Sequence, residues 1–178
     1  MKKLNKKGFT LVELLAVIVI LGVLMIVAIP AMSRYIENSR KDVFVNNAKR
    51  YISAARYSLL EDGYKCNNGT SSVSCGISDV NGTTKVVVPV SLISIENDTG
   101  MSPWNKTFDG TKAYVIVQQV SGKIVYKFRG CDEGKNGITT EIDESSLSRA
   151  NVDKGSSSCP LAGAYTASAT VLVATAEN

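Results

Sequence analysis

Glu13 is the one ionisable side chain between Phe9 and Ile29; Leu14 to Ile29 is uncharged and apolar apart from Gly22, and Pro30 closes the block. A carboxylate at the rim of a membrane-length apolar helix is costly and needs a reason. Two reasons are open: the carboxylate reaches the headgroups, or it meets an opposite charge in trans, where low dielectric makes pairing selective. Four cysteines, Cys66, Cys75, Cys131 and Cys159, form no Cys-x-x-Cys pair. In a chain that leaves the cytoplasm, an even count points to disulfides rather than redox or zinc chemistry, and three pairings are possible. Histidine is absent, which removes His-based acid–base catalysis, His triads and His-containing metal sites. There is no Gly-rich phosphate loop and no nucleophile–base pair, so the sequence names no catalytic residue, no cofactor and no metal, and reads as a non-enzyme.

These groups must be positioned by a long element and one globular domain, which 178 residues allow. Apolar residues continue past Pro30 at Phe44, Ala48, Ile52, Ala55 and Leu59, separated by Asp42, Asn46, Lys49, Arg50, Ser53 and Arg56. That is one apolar stripe on a polar helix. Asp62-Gly63 supplies the stop, with Gly suited to the left-handed cap. A helix from Thr10 to Glu61 would be roughly 78 Å long at about 1.5 Å per residue. Its first half is apolar all round and suits lipid or other helices; its second half is amphipathic and suits a domain on one side. Gly22 and Pro30 are its weak points, through backbone freedom and a missing donor.

Beyond the helix, Lys65 to Gly82 reads as an Asn/Gly/Ser/Thr-rich loop. Lys85 to Ile95 is β-rich, with Pro89 marking an edge strand. Lys112–Val120 and Lys123–Arg129 form a hairpin about Ser121-Gly122. In the second strand Ile124, Tyr126 and Phe128 face one way, and Lys123, Lys127 and Arg129 mostly the other. Gly130 to Ser158 is polar, and Tyr165 to Ala174 reads as a last strand. The expectation is α+β: a long N-terminal helix packed on a small antiparallel sheet. The loop acids Asp132, Glu133, Glu141, Asp143, Glu144 and Asp153 lack EF-hand spacing and read as a solvated acidic loop. Asn68, Asn81, Asn97 and Asn105 each begin an Asn-x-Ser/Thr string, read as loop composition.

The string Lys-Gly-Phe-Thr-Leu-Val-Glu-Leu-Leu, an apolar run and Ala-Ile-Pro, over Lys6 to Met32, resembles the N-terminus of a type IV prepilin with a class III signal peptide. An ordinary secretory signal would end in a small-x-small site, which Ala28-Ile29-Pro30-Ala31 matches poorly; a plain anchor would not need Glu13. The resemblance implies a leader at 1–8, a transmembrane and assembly helix at 9–32, an amphipathic half at 33–62 and a head at 63–178 with a disulfide-bounded loop. It implies cleavage between Gly8 and Phe9, N-methylation of Phe9, and assembly through Glu13, Gly22 and Pro30, with Glu13 neutralising the Phe9 amine of a neighbour. The disulfide-bounded C-terminal loop of many type IV pilins favours Cys66–Cys75 with Cys131–Cys159. Met101-Ser-Pro-Trp104-Asn faintly resembles the family's Pro-Trp turn; a lone Trp covering the core is an equal reading.

The implied partners are further copies in a helical filament, a prepilin peptidase/methyltransferase, an inner-membrane assembly platform and membrane lipid before assembly. The chain would be single-pass in the cell membrane, then part of an extracellular pilus serving adhesion, motility or DNA uptake. The alternative is a pseudopilin of a type II secretion or competence system; a monomeric membrane-anchored binding domain is a rival of another class. Basic residues number 20 and acids 16. Without the leader's Lys2, Lys3, Lys6 and Lys7 the count is 16 against 16, so the basic excess is an orientation signal and not a nucleic-acid footprint.

Overall fold

The computed structural model describes residues 10–61, 63–95, 100–159 and 165–175, with the backbone alone at 109–111. Helix α1 runs from Leu11 to Leu60 without a break at Pro30. Near the proline the Ser33 hydroxyl donates to the Ile29 carbonyl at 3.1 Å, adding a side-chain bond to the ladder where one backbone donor is missing. The helix stops where the sequence places its end: the Gly63 amide donates to the Ser58 carbonyl at 2.9 Å, the long-range bond of a Schellman cap, but Gly63 is not among the described glycines with positive φ, so it is not the left-handed residue the sequence suggested. Asp62 lies outside the described residues.

Two compact units divide the chain, Met1–Ser39 and Arg40–Asn178. The second holds the rest of α1 and seven strands: β1 (Tyr64–Asn67), β2 (Ser72–Cys75), β3 (Lys85–Pro89), β4 (Phe108–Val120), β5 (Lys123–Asp132), β6 (Gly137–Asp143) and β7 (Val171–Thr175). They form one sheet in the order β2-β1-β7-β3-β4-β5-β6. The α+β class stands, but the sheet is mixed: β3 and β7 run parallel, with Val86 opposite Leu172. The segment read as a loop from Lys65 to Gly82 contains the β1–β2 hairpin. Its turn is built by Asn68, whose Oδ1 accepts the amides of Thr70 at 3.0 Å and Ser71 at 2.8 Å.

Pro89 does not mark an edge. Strand β3 lies between β7 and β4, and Pro89 ends it opposite Tyr114. Pairing with β7 stops at Val87, so the missing donor of Pro89 faces no ladder partner there. Pro89 is followed by a short 3-10 turn, Val90–Leu92. The Ser121-Gly122 turn forms as read, with φ of 50° and 78°, the positive pair a type I′ hairpin needs. The polar stretch from Gly130 to Ser158 also hides a strand, β6. There Gly137 has a φ of 154°, and an added Cβ would overlap the Gly130 carbonyl of β5. Only glycine allows the two strands that approach. The last strand is shorter than read, because only Val171–Thr175 pairs.

The core forms where the amphipathic part of α1 meets one face of the sheet. Phe44, Ala48, Ile52, Ala55 and Leu59 are fully buried, against Val86, Val88, Val115, Val117 and Phe128. The stripe read from the sequence is therefore the buried face. Phe44 centres the aromatic packing, with ring centroids 5.9 Å from Trp104, 5.2 Å from Phe108 and 6.4 Å from Phe128, distances at which tilted rings attract. Trp104 thus covers the core. Ile124 and Tyr126 pack against the same core.

Candidate functional site

The first candidate site is the start of α1. Gly8 and Phe9 lie outside the described residues. Thr10 is the helix cap: its amide and hydroxyl donate to Glu13 Oε2 at 2.8 and 2.9 Å, while the Glu13 amide returns to the Thr10 hydroxyl at 3.3 Å. This is a capping box, and the Thr-x-x-Glu spacing that announces it was present in the sequence and missed. The carboxylate also stands at the positive end of the helix dipole. Both Thr10 bonds fall on Oε2, and among the described residues no bond to Oε1 is present.

From there the helix is exposed and apolar. Leu11 is 81% exposed, and Ile26 and Val27 74%. An 18-residue window has mean hydropathy 3.1 and none of it is buried, so by length and composition the helix can cross a membrane. Gly22 leaves room, since an added Cβ would meet nothing within 4 Å.

The second candidate region is the segment between Cys131 and Cys159. The structure joins Cys66 to Cys75 and Cys131 to Cys159, at sequence separations of 9 and 28. The first bridge ties β1 to β2, with both cysteines buried. The second closes the segment that carries β6. The acids of that segment divide: Glu133 and Asp153 are exposed, as a solvated loop requires, whereas the others are held by partners. Glu141 lies 3.7 Å from Lys85, Asp143 3.5 Å from Lys127, and Glu144 pairs with Arg56 of α1. Arg149 reaches back to Asp42 of α1 at 2.9 Å. Two ion pairs thus tie the segment to the helix, each contributing little alone because both are half-exposed. The Arg56 guanidinium also lies 4.4 Å over the Tyr126 ring.

Asp132 is the exception, 1% exposed. Its carboxylate accepts from the Ser102 hydroxyl at 2.5 Å, the Asn136 amide at 2.8 Å, and the Asn136 side chain at 3.0 Å on both oxygens. A buried carboxylate is tolerable when hydrogen-bonded this fully. The knot fastens the turn at Trp104 to the start of the disulfide-bounded segment. No local sequence signal marks it. Among the described residues, no group of three or more His, Cys, Asp or Glu is placed to hold a metal ion.

The outer face of the sheet carries a feature no sequence pattern announced. Val87, Tyr114 and Ile116 form a small second core there, with Val171 and Tyr165 against it. The Tyr165 ring stands edge-on to Tyr114 at 4.9 Å, with the Lys85 ammonium 5.1 Å from its centroid. Its hydroxyl donates to Glu141 at 2.8 Å. Burial, with the Glu141 carboxylate beside it, holds the Tyr165 phenol well above the ordinary tyrosine range.

Comparison with known proteins agrees with this geometry. The family model described as the prokaryotic N-terminal methylation motif matches residues 3–29. A fimbrial protein of Neisseria meningitidis serogroup A / serotype 4A is 28% identical over 139 residues, 78% of this chain and 81% of that protein. The type IV major pilin protein PilE1 of Neisseria gonorrhoeae is 27% identical over 149 residues, 83% of this chain and 82% of its own length. No solved structure gives a significant match. Motif, apolar helix and α+β head are consistent with a pilin-type protein. In its N-terminal motif and over most of its length the chain is similar to type IV pilins, which are structural proteins rather than enzymes.

Proposed function

We propose that this chain is the structural subunit of a type IV pilus. It is cut between Gly8 and Phe9 by a prepilin peptidase, methylated at Phe9, held in the membrane as a single pass over 9–32, then moved from lipid into a helical filament. Residues 33–62 carry the head, 63–178, on the helix. The observation behind this reading is the exposed apolar run of α1 with its single charge. Such a surface is stable in lipid or against other apolar helices and nowhere in water.

Cleavage creates an ammonium at Phe9, four residues before Glu13. In lipid the Glu13 carboxylate is satisfied at Oε2 by Thr10. In a packed bundle its open Oε1 accepts from the Phe9 amine of a neighbouring subunit. A buried charge without its partner is strongly disfavoured, so the pair sets the register of each added subunit. Gly22 and Pro30 supply the local freedom α1 needs as copies pack. The filament's use in adhesion, motility or DNA uptake follows from what its surface binds.

The experiment replaces Glu13 in the full chain and compares surface filament yield with mature chain in the membrane fraction. Glu13→Val is expected to insert and be cleaved normally yet assemble at background level, with Glu13→Asp intermediate. Thr10→Val removes the cap hydroxyl and leaves the carboxylate, so it is expected to assemble. Wild-type yield from Glu13→Val sinks the pairing. Equal failure of Thr10→Val reduces Glu13 to a capping residue. Intact mass of the filament protein tests processing: a chain that retains Met1 to Gly8 overturns it. Abundant filaments of this chain distinguish a pilin from a short pseudopilin fibre.

A further inference from the structure

A polar concavity of about 310 Å³ opens at one end of the sheet, where β3 and β7 begin and β4 ends. Asn81, Thr83, Thr84, Gln118, Gln119 and Thr170 line it, with Val171 also in its wall. Its rim is rigid. Asn81 Oδ1 accepts the amides of Thr83 at 2.9 Å and Thr84 at 3.0 Å, and the Thr83 hydroxyl at 2.8 Å. On the other side the Ser168 hydroxyl accepts the Val171 amide at 3.1 Å, and the Lys85 amide donates to the Thr170 carbonyl at 3.0 Å. Between these two capped turns, the side chains of Thr84, Gln118 and Gln119 make no hydrogen bond to any described residue.

We propose that this concavity binds a neutral carbohydrate, one or two sugar rings of a surface glycan. Asn81 and the Thr83 hydroxyl proton are used within their turn, so the Thr84 hydroxyl and the Gln118 and Gln119 amides are the groups that offer donors and acceptors to the neighbouring hydroxyls of a sugar. The Val171 side chain and the threonine methyl groups offer apolar contact for the sugar's C–H face. Charge argues against other small ligands. No carboxylate lines the concavity to hold a cation. Its one cationic residue is Lys85, whose ammonium is occupied by Glu141 at 3.7 Å and the Tyr165 ring, so an anion finds no free charge. The volume lies at the small end of ligand sites, and no aromatic platform is present among the lining residues. Binding by one copy is therefore weak, in the millimolar range, and depends on repetition of the site for avidity. The inference stands apart from the assembly reading, because a single copy carries the whole site.

The test is saturation-transfer NMR on the full chain in lipid nanodiscs, with empty nanodiscs as blank. The probes are lactose and the methyl glycoside of N-acetylglucosamine, with inorganic phosphate as the anionic competitor. Transfer from at least one neutral sugar is expected. Gln118→Leu with Gln119→Leu should weaken it about tenfold, the effect of one to two lost hydrogen bonds. Gly82→Trp should abolish it by filling the mouth, since an added Cβ at Gly82 meets nothing within 4 Å and the fold is spared. Both variants must keep both disulfides and the wild-type thermal midpoint. No transfer from either neutral sugar, transfer unchanged by both variants, or displacement by inorganic phosphate would each overturn the proposal.

Discussion

Leu11 to Ser39 and Arg40 to Leu60 belong to one helix, yet their apolar side chains meet opposite conditions. In the first stretch Leu14, Ile20 and Leu24 are each roughly 60% exposed. In the second, Phe44, Ile52 and Leu59 are fully buried. The difference is the arrangement of polar residues. Where charges occupy one side, as at Lys49, Arg50 and Arg56, the apolar stripe is narrow enough for a sheet to cover. Where apolar residues go all round, one sheet cannot cover them, and lipid or further copies of the chain must. So apolar content alone does not say which part of a helix belongs to a domain; its angular distribution does.

Truncations in the two stretches should separate these roles most sharply. Phe44→Ala removes a fully buried ring that touches three other aromatics, and is expected to destabilise the head by about 3–5 kcal/mol. Ile26→Ala, at a site 74% exposed, should leave the head's thermal midpoint unchanged and weaken retention in the membrane. Thermal unfolding of the chain in nanodiscs reads the first effect, and membrane partition the second. A shared loss of head stability would break the comparison.

The two disulfides give a smaller contrast within the head. In the chain-entropy view, Cys131→Ser with Cys159→Ser costs about 3.5 kcal/mol, and Cys66→Ser with Cys75→Ser about 2.5 kcal/mol, because the closed loops differ in length. Denaturant midpoints of the two double variants check the order. The reverse order would mean that the β1–β2 hairpin relies on its bridge more than loop entropy allows.

The smallest effect concerns Tyr165. Its folded pKa lies above the unfolded value near 10, so the stability it contributes is present in full below about pH 10 and is lost as pH rises beyond it. Tyr165→Phe should cost about 1 kcal/mol at neutral pH through the lost bond to Glu141. It should also flatten the alkaline fall in stability, which a pH series of unfolding midpoints would show. An unchanged alkaline slope would remove Tyr165 from that role and leave Tyr64, also raised by burial.

Much of this molecule is legible along the chain because its signals are local. The apolar run, the stripe from Phe44 to Leu59 and the turn at Ser121-Gly122 each depend on residues a few positions apart. The Thr10–Glu13 cap is equally local, a Thr-x-x-Glu spacing at the start of the helix, although Glu13 also stands out as the one charge in an apolar run. Edge position is different. Pro89 is compatible with an edge strand or with the last residue of a central one, and the choice depends on how far β7 extends.

By itself the sequence determined a long helix with a membrane-length front and a packed rear, an acid alone in the apolar run, a β-rich head and an even set of cysteines. Those features follow from composition and periodicity, which act within a turn or two of chain. Only the tertiary structure decided that β7 lies between β1 and β3, parallel to β3. It also decided that Thr175 donates to the Lys65 carbonyl across 110 residues, that Asp132 is buried and fully bonded, and that Tyr165 seals a second core on the outer face. Each of these joins residues far apart in sequence, whose meeting depends on the closure of the whole sheet and leaves no local pattern to read.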